Sequence, residues 1–315
     1  MTNEIFDVVI VGGGAAGLSA AVALGRARRS VAVIDAGEPR NATAHAVHNF
    51  LTRDGVSPAE LVRLGRAEAE SYGATMVDAR AEGADRTDDG FAVTLSTAAV
   101  VAGRRLLVTT GLVDELPEVE GLAERWGRDV LHCPYCHGWE VRDRAIAVLA
   151  TGPRAMHQAQ MFRQWSPDVT LLLNDQGLPD AEQLELLAAR GIEIVHGRVE
   201  GLIVENDALI GVRLAGGAVR ALDALVVGAP VSVRAGVLVD LGLELADHPM
   251  GLGKHVATDA TFATSLPGVW AAGNVTNLAG QVITSAAEGL WAGAQINASL
   301  IADDERAALQ SYRRS

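Results

Sequence analysis

The chain has 315 residues, 49% of them apolar and 21% charged, with a formal net charge of -13. That composition suits a folded protein with core material for about two domains, and its acidity disfavours nucleic acid and anionic membranes as partners. No apolar run reaches the roughly 18 residues of a membrane span. No basic start or cleavage site precedes the first apolar run, and the two cysteines do not resemble a secreted disulfide framework, so a cytoplasmic location is expected.

Residues 5–11 (IFDVVIV) read as a short strand rich in Val and Ile. Gly12, Gly14 and Gly17 follow as G-x-G-x-x-G and open the Ala-rich helical stretch 15–27. The first glycine makes the tight turn, the second lets the backbone approach a pyrophosphate, and the third lets the helix pack on the strand. The helix start offers N–H groups and a partial positive charge to the phosphates. The next apolar run, Val31 to Ile34, ends at Asp35, 18 residues beyond Gly17. A carboxylate there accepts from ribose hydroxyls and repels a 2′-phosphate. Together these make a βαβ dinucleotide-binding unit, and the fold class is α/β with a Rossmann-like parallel sheet.

Residues 133–136 read Cys-Pro-Tyr-Cys, with His132 before and His137 after. Two thiols at this spacing can close a small disulfide ring, and a turn or helix start can depress one thiol's pKa. Half of a zinc site or a pair of inert thiols are the alternatives, but a tetrahedral site needs two more ligands, and no metal is expected. His137 can take and return protons near neutral pH, as thiol–disulfide exchange requires. His45 and His48 are weaker candidates for a place near the site.

A second βαβ-like unit follows. Residues 145–150 (AIAVLA) read as a strand, 153–165 as a helix opened by Pro153, and 169–173 (VTLLL) as the next strand. Near the end, residues 268–275 (GVWAAGNV) form an apolar strand ending at Gly273 and Asn274, and residues 281–302 have helical spacing. The order of motifs suggests a discontinuous first domain, 1–116 and 243–315, with an inserted domain at 117–242.

Taken together, these residues resemble the low-molecular-weight thioredoxin reductase family over nearly the whole length. The resemblance is carried by Gly12–Gly17, Asp35, Thr109-Thr110-Gly111, Cys133–Cys136, Gly268–Asn274 and Gln281-Val282. The C-terminal signature belongs to flavoproteins with two dinucleotide-binding domains, not to simple NAD dehydrogenases. It implies FAD as cofactor, held by Gly12, Gly14, Ala15, Ala16, Gly17, Asp35, Ala36, Arg40, Asn41, Thr110, Gly111, Gly273, Asn274, Gln281 and Val282. It implies a homodimer, with the inserted domain carrying the CxxC. Cys133 then exchanges with substrate, Cys136 faces the flavin, and His137 completes the catalytic set.

Three features depart from that family. The second glycine motif is reduced to Ala150-Thr151-Gly152-Pro153-Arg154-Ala155. The strand that should lead to arginines for an NADPH 2′-phosphate ends in Leu173-Asn174-Asp175-Gln176. His137 and Asn274 replace the usual acids. Among that sequence's relatives, the dithiol oxidases of gliotoxin and holomycin biosynthesis, similar in their CxxCH, have also lost NADPH use. The expected activity is therefore disulfide formation in a small-molecule dithiol with O2 as acceptor. A thioredoxin or related disulfide reductase driven by NAD(P)H or ferredoxin is the alternative, and a non-catalytic flavin sensor a third.

Overall fold

The computed structural model describes residues 5–315. They divide into two compact units. One comprises the stretch ending at Ala42, Pro58–Val113 and Val231–Ser315; the other comprises Thr43–Ser57 and Asp114–Pro230.

The first unit is built on a seven-stranded sheet. Ile5–Val11 lies at its centre, paired in parallel with Val31–Asp35 on one side and Val100–Val108 on the other. Thr75–Asp78 extends the parallel part, and Val269–Ala271 joins Val100–Val108 in parallel. The strands Gly90–Leu95 and Ala81–Thr87 complete it antiparallel. Continuous apolar runs form the central strands because both faces are covered. Val9, Val11, Leu106 and Val108 point into one buried cluster, and Val8, Ile10, Leu107 and Trp270 into another.

The helix Ala15–Arg26 crosses the C-terminal helix Val282–Tyr312 along a seam of small residues. A Cβ on Gly289 would stand 1.9 Å from the Ala16 carbonyl oxygen, and one on Gly293 would stand 3.1 Å from that of Ala20. These two backbones meet because no side chain separates them.

The second unit has a five-stranded parallel sheet of Glu193–Val195, Val169–Leu172, Ile146–Leu149, Ala224–Val227 and Val130–Leu131, in that order. A three-stranded antiparallel sheet, Val199–Glu205, Ala208–Leu214 and Val219–Ala221, belongs to the same unit. The helix Ala155–Phe162 is shorter than the 153–165 expected, because residues 151–154 form the bends and turns that lead into it.

Two segments fall differently from the division at 117–242. Residues 231–242 sort with the first unit, because Gly236–Asp240 packs on Ala81–Thr87 and buries Val237 and Leu238 in its core. Residues 43–57 sort with the second, where Asn49 Nδ2 donates to the Tyr135 carbonyl at 2.6 Å. No run of residues within 43–57 has the periodicity that would have marked this excursion.

The seam makes a direct prediction. Gly289→Ala gains about 1 kcal/mol of helix propensity but drives a methyl group into backbone that cannot rotate away. The net loss is expected to be at least about 2 kcal/mol, read from the urea midpoint. An unchanged midpoint would show that the helices separate freely.

Candidate functional site

In the first unit, the glycine turn is held by specific contacts. Gly12 has φ +111°, a conformation that favours glycine. A Cβ there would lie 2.5 Å from the Thr109 carbonyl oxygen, and one on Gly17 would lie 1.9 Å from that of Gly12. Thr109 is buried and its Oγ1 donates to the Gly12 carbonyl at 2.8 Å. Gly14 behaves differently: a Cβ at that position meets nothing within 4 Å. The backbone there faces open space, and the first turn of Ala15–Arg26 has no side-chain cap. Bare N–H groups beside an open backbone are what a diphosphate requires.

Asp35 closes the turn. Its Oδ1 accepts from Gly13 N at 3.0 Å, while Oδ2 lies 4.0 Å from Arg66 Nη1. The second oxygen is therefore placed to accept from a ribose hydroxyl. Ala36, Arg40 and Asn41 lie on the loop leaving this strand, the latter two half-buried. Thr110 Oγ1 donates to the Arg234 carbonyl, and the Gly111 carbonyl accepts from Arg234 N at 3.0 Å.

The C-terminal signature meets the glycine turn directly. Gly273 has φ +78°, and its Cβ would lie 3.0 Å from that of Ala16. Asn274 Nδ2 donates to the carbonyls of Asn277 and Gly280, both at 2.8 Å. The amide is occupied in shaping the loop to Gln281, the N-cap of the long helix, and only Oδ1 is left to accept from a ribityl hydroxyl. Glu288 accepts from Gly273 N at 3.0 Å and from Asn277 Nδ2 at 2.8 Å, so it holds this loop in place. It was not among the residues expected from the sequence, yet it is the sole charged residue between Val282 and Ile301.

In the second unit, Cys133 is the extended N-cap of the short helix Pro134–His137. Its carbonyl accepts from both Cys136 N and His137 N at 3.2 Å. Both cysteines are half-buried. Tyr135, between them, is 62% exposed and meets Trp165 edge-on at 5.6 Å. A Cβ on Gly138 would strike the Trp165 ring at 2.8 Å, so that glycine lets the turn seat on the indole.

Both ring nitrogens of His137 are buried and have no hydrogen-bond partner. Burial holds its pKa below the ordinary histidine value; the Glu140 carboxylate opposes this, and His48 and His45 add to it. The ring is therefore neutral near pH 7 and able to accept a proton. His132 is half-buried beside it in sequence. Among the described residues, no group of three or more His, Cys, Asp or Glu side chains is placed to hold a metal ion, and no helix is long and apolar enough to cross a membrane.

The second nucleotide-type turn is tied down at Ala150 and Thr151, while a Cβ on Gly152 would meet nothing within 4 Å. Asn174 and Asp175 have φ +48° and +60°, the left-handed region that Asn and Asp tolerate. Asn174 Nδ2 donates to the Ala150 carbonyl at 3.4 Å, and its Oδ1 accepts from Val199 N at 3.0 Å. Thr151 Oγ1 donates to the Gly228 carbonyl at 2.8 Å. Arg163 donates to the carbonyls of Arg190 and Ser166, at the far end of its helix.

Comparison with known proteins gives the class. The pyridine nucleotide-disulphide oxidoreductase family model matches residues 6–289. The chain is 31% identical to thioredoxin reductase tcpT of Claviceps purpurea, covering 96% of each chain. It is likewise 31% identical to thioredoxin reductase sirT of Leptosphaeria maculans, again with 96% of each covered. Its fold superposes on the crystal structure of HlmI with a TM-score of 0.93 and 40% identity, over 100% of this chain and 98% of that one. The protein belongs to the pyridine nucleotide-disulphide oxidoreductase family and is a thioredoxin reductase-like enzyme. Proteins of this group bind FAD, and the open Gly14 backbone, the Asp35 carboxylate and the Gly273 loop fit that cofactor.

Two predictions follow from this geometry. Gly14→Val meets no protein atom, so apoprotein stability should change by under about 1 kcal/mol while FAD is lost from the purified protein. Retention of FAD by this variant would remove Gly14 from the site. His137, neutral when folded, takes up a proton more readily when unfolded. It therefore contributes stability above the ordinary histidine pKa of about 6.5, and that contribution fades as pH falls below it. Denaturation between pH 5 and 7 should show a shallower pH slope in His137→Asn than in the wild type; equal slopes would contradict the burial argument.

Proposed function

We propose that this protein is an FAD-dependent dithiol oxidase that forms a disulfide in a small-molecule dithiol and passes the electrons to oxygen. The observation that carries this reading is the second nucleotide-type turn. Ala150 replaces the glycine of the tight turn, Asn174 bonds to its carbonyl, and Asp175 is exposed where a 2′-phosphate needs cations. Each lost charge-assisted contact to a phosphate costs roughly 1.5–3 kcal/mol. The alternative, a thioredoxin or related disulfide reductase driven by NAD(P)H or ferredoxin, is favoured by the similarity to thioredoxin reductases tcpT and sirT.

In the proposed cycle the enzyme begins with a Cys133–Cys136 disulfide. A substrate thiolate attacks Cys133 and releases the Cys136 thiolate. The second substrate thiolate attacks the mixed disulfide, forms the substrate disulfide and leaves Cys133 reduced. The neutral His137 ring accepts one thiol proton at its single unprotonated nitrogen, and the second thiol proton passes to solvent. Bound FAD supplies the two-electron acceptor that restores the enzyme disulfide and that oxygen re-oxidises. The sum is one dithiol and one O2 giving one disulfide and one H2O2. Exposed Leu290, Trp291 and Ile301 on the C-terminal helix support the expectation of a homodimer.

The test is anaerobic stopped-flow absorbance in the flavin's visible band. Dithiothreitol should bleach it, and NADPH should bleach it at least about a hundredfold more slowly at equal concentration. Rapid stoichiometric bleaching by NADPH would establish the reductase instead. The cysteine roles are tested separately. Reduced Cys136→Ser should react with 5,5′-dithiobis(2-nitrobenzoate) and keep the aromatic thiol as a mixed disulfide on Cys133. The wild type should expel it and close its own disulfide. Equal retention would contradict the pairing.

A further inference from the structure

Glu288 is the sole charged residue between Val282 and Ile301, and its carboxylate is committed to groups beside the cofactor cradle. It stands one position before Gly289, whose missing side chain lets the C-terminal helix meet the Ala16 backbone. The helix cannot slide at that point without driving backbone into backbone. Glu288 therefore projects from a fixed position on a rigid element, as a group that holds a binding loop must.

Both oxygens of Glu288 are engaged. Oε2 accepts from Gly273 N at 3.0 Å, and Oε1 accepts from Asn277 Nδ2 at 2.8 Å. Asn277 in turn organises the loop 273–280. Its N donates to the Gly273 carbonyl at 2.9 Å, and its carbonyl accepts from Asn274 Nδ2 at 2.8 Å and from Gly280 N at 3.0 Å. Thr276 donates to the same Gly273 carbonyl from N and from Oγ1, both at 2.9 Å. Asn274 directs its donor hydrogens inward, to the Asn277 and Gly280 carbonyls. Glu288 thus grips the loop on either side of Asn274, at Gly273 and at Asn277. Hydrogen bonds to a carboxylate are roughly twice as strong as neutral ones. On its other side the loop rests against the glycine turn, where a Cβ on Gly273 would lie 3.0 Å from that of Ala16.

We propose that Glu288 is a positioning residue for FAD. It acts through Gly273 and Asn277, holding the loop in the shape that keeps Asn274 Oδ1 available to a ribityl hydroxyl. A neutral amide shapes the loop from within, and a carboxylate on the last helix holds it from outside. The role rests on FAD binding at this cradle and not on the direction of electron flow, so it is the same in an oxidase and in a reductase.

The test is the FAD dissociation constant of the full-length apoprotein, read from quenching of flavin fluorescence, with the urea midpoint of the same apoprotein beside it. Glu288→Ala leaves Gly273 N and Asn277 Nδ2 without their acceptor and should weaken FAD binding about 10- to 100-fold. Glu288→Gln can keep both contacts: its Oε1 accepts from Gly273 N, and its Nε2 donates to Asn277 Oδ1 once that amide turns over. It should stay within about threefold of the wild type. Asn277→Ala should also weaken FAD binding, and it reports on the loop should Glu288→Ala fail to fold. Because the two residues act in one chain, Glu288→Ala combined with Asn277→Ala should bind no more weakly than Glu288→Ala alone. A Glu288→Ala variant that lowers the urea midpoint yet binds FAD like the wild type would overturn the role, since Glu288 would then serve folding alone. Glu288→Gln as weak as Glu288→Ala, or additive losses in the double variant, would overturn it too. A wild-type apoprotein that takes up no FAD would overturn the cofactor fit and this role with it.

Discussion

Among the backbone approaches in the first unit that leave no room for a Cβ are Gly12 against Thr109, Gly17 against Gly12, and Gly289 against Ala16. The first two bend the chain from the central strand into the Ala15–Arg26 helix. The third brings the C-terminal helix onto that helix, 273 residues later in the chain (289 − 16). Everything that fits FAD follows from this crossing. It sets the Gly273 loop against Ala16 and leaves Gly14 as the one glycine of the motif that faces open space. Glu288 then fixes the loop through Gly273 N and Asn277. The cofactor cradle is a by-product of packing that needs glycine.

Much of this was legible in the sequence because it depends on local pattern. G-x-G-x-x-G between an apolar run and an Ala-rich stretch marks a turn of known geometry, and Asp35 marks its partner. Helical spacing and Gln281 placed the start of the last helix, which the structure caps at that residue. What stayed hidden depends on contacts between distant positions. The 43–57 excursion is held by single hydrogen bonds such as Asn49 to Tyr135, 86 residues apart. Glu288 acts through backbone groups that carry no sequence signal, although its isolation among apolar neighbours was visible. Arg163, the arginine at the end of the Ala155–Phe162 helix, ties down carbonyls there rather than facing the turn.

The two nucleotide-type turns show one motif retained and one lost. At Gly14 the backbone is open and its N–H groups are bare. At Ala150 the tight-turn glycine is gone and Asn174 binds the Ala150 carbonyl, while Gly152 still faces open space. The dithiol turn meanwhile places a neutral, buried imidazole beside two half-buried cysteines. A dithiol turn and an altered nucleotide-type turn within one unit are what the proposed oxidase reading rests on.

The central claim is that electrons enter from a dithiol and leave to oxygen with no nicotinamide involved. Its most direct measurement is the stoichiometry of aerobic turnover, with an oxygen electrode and a peroxide assay run on the same sample. The account predicts one O2 consumed and one H2O2 formed per substrate disulfide, at a rate that NADPH does not change. Disulfide reduction that depends on NADPH, without oxygen uptake, would contradict it.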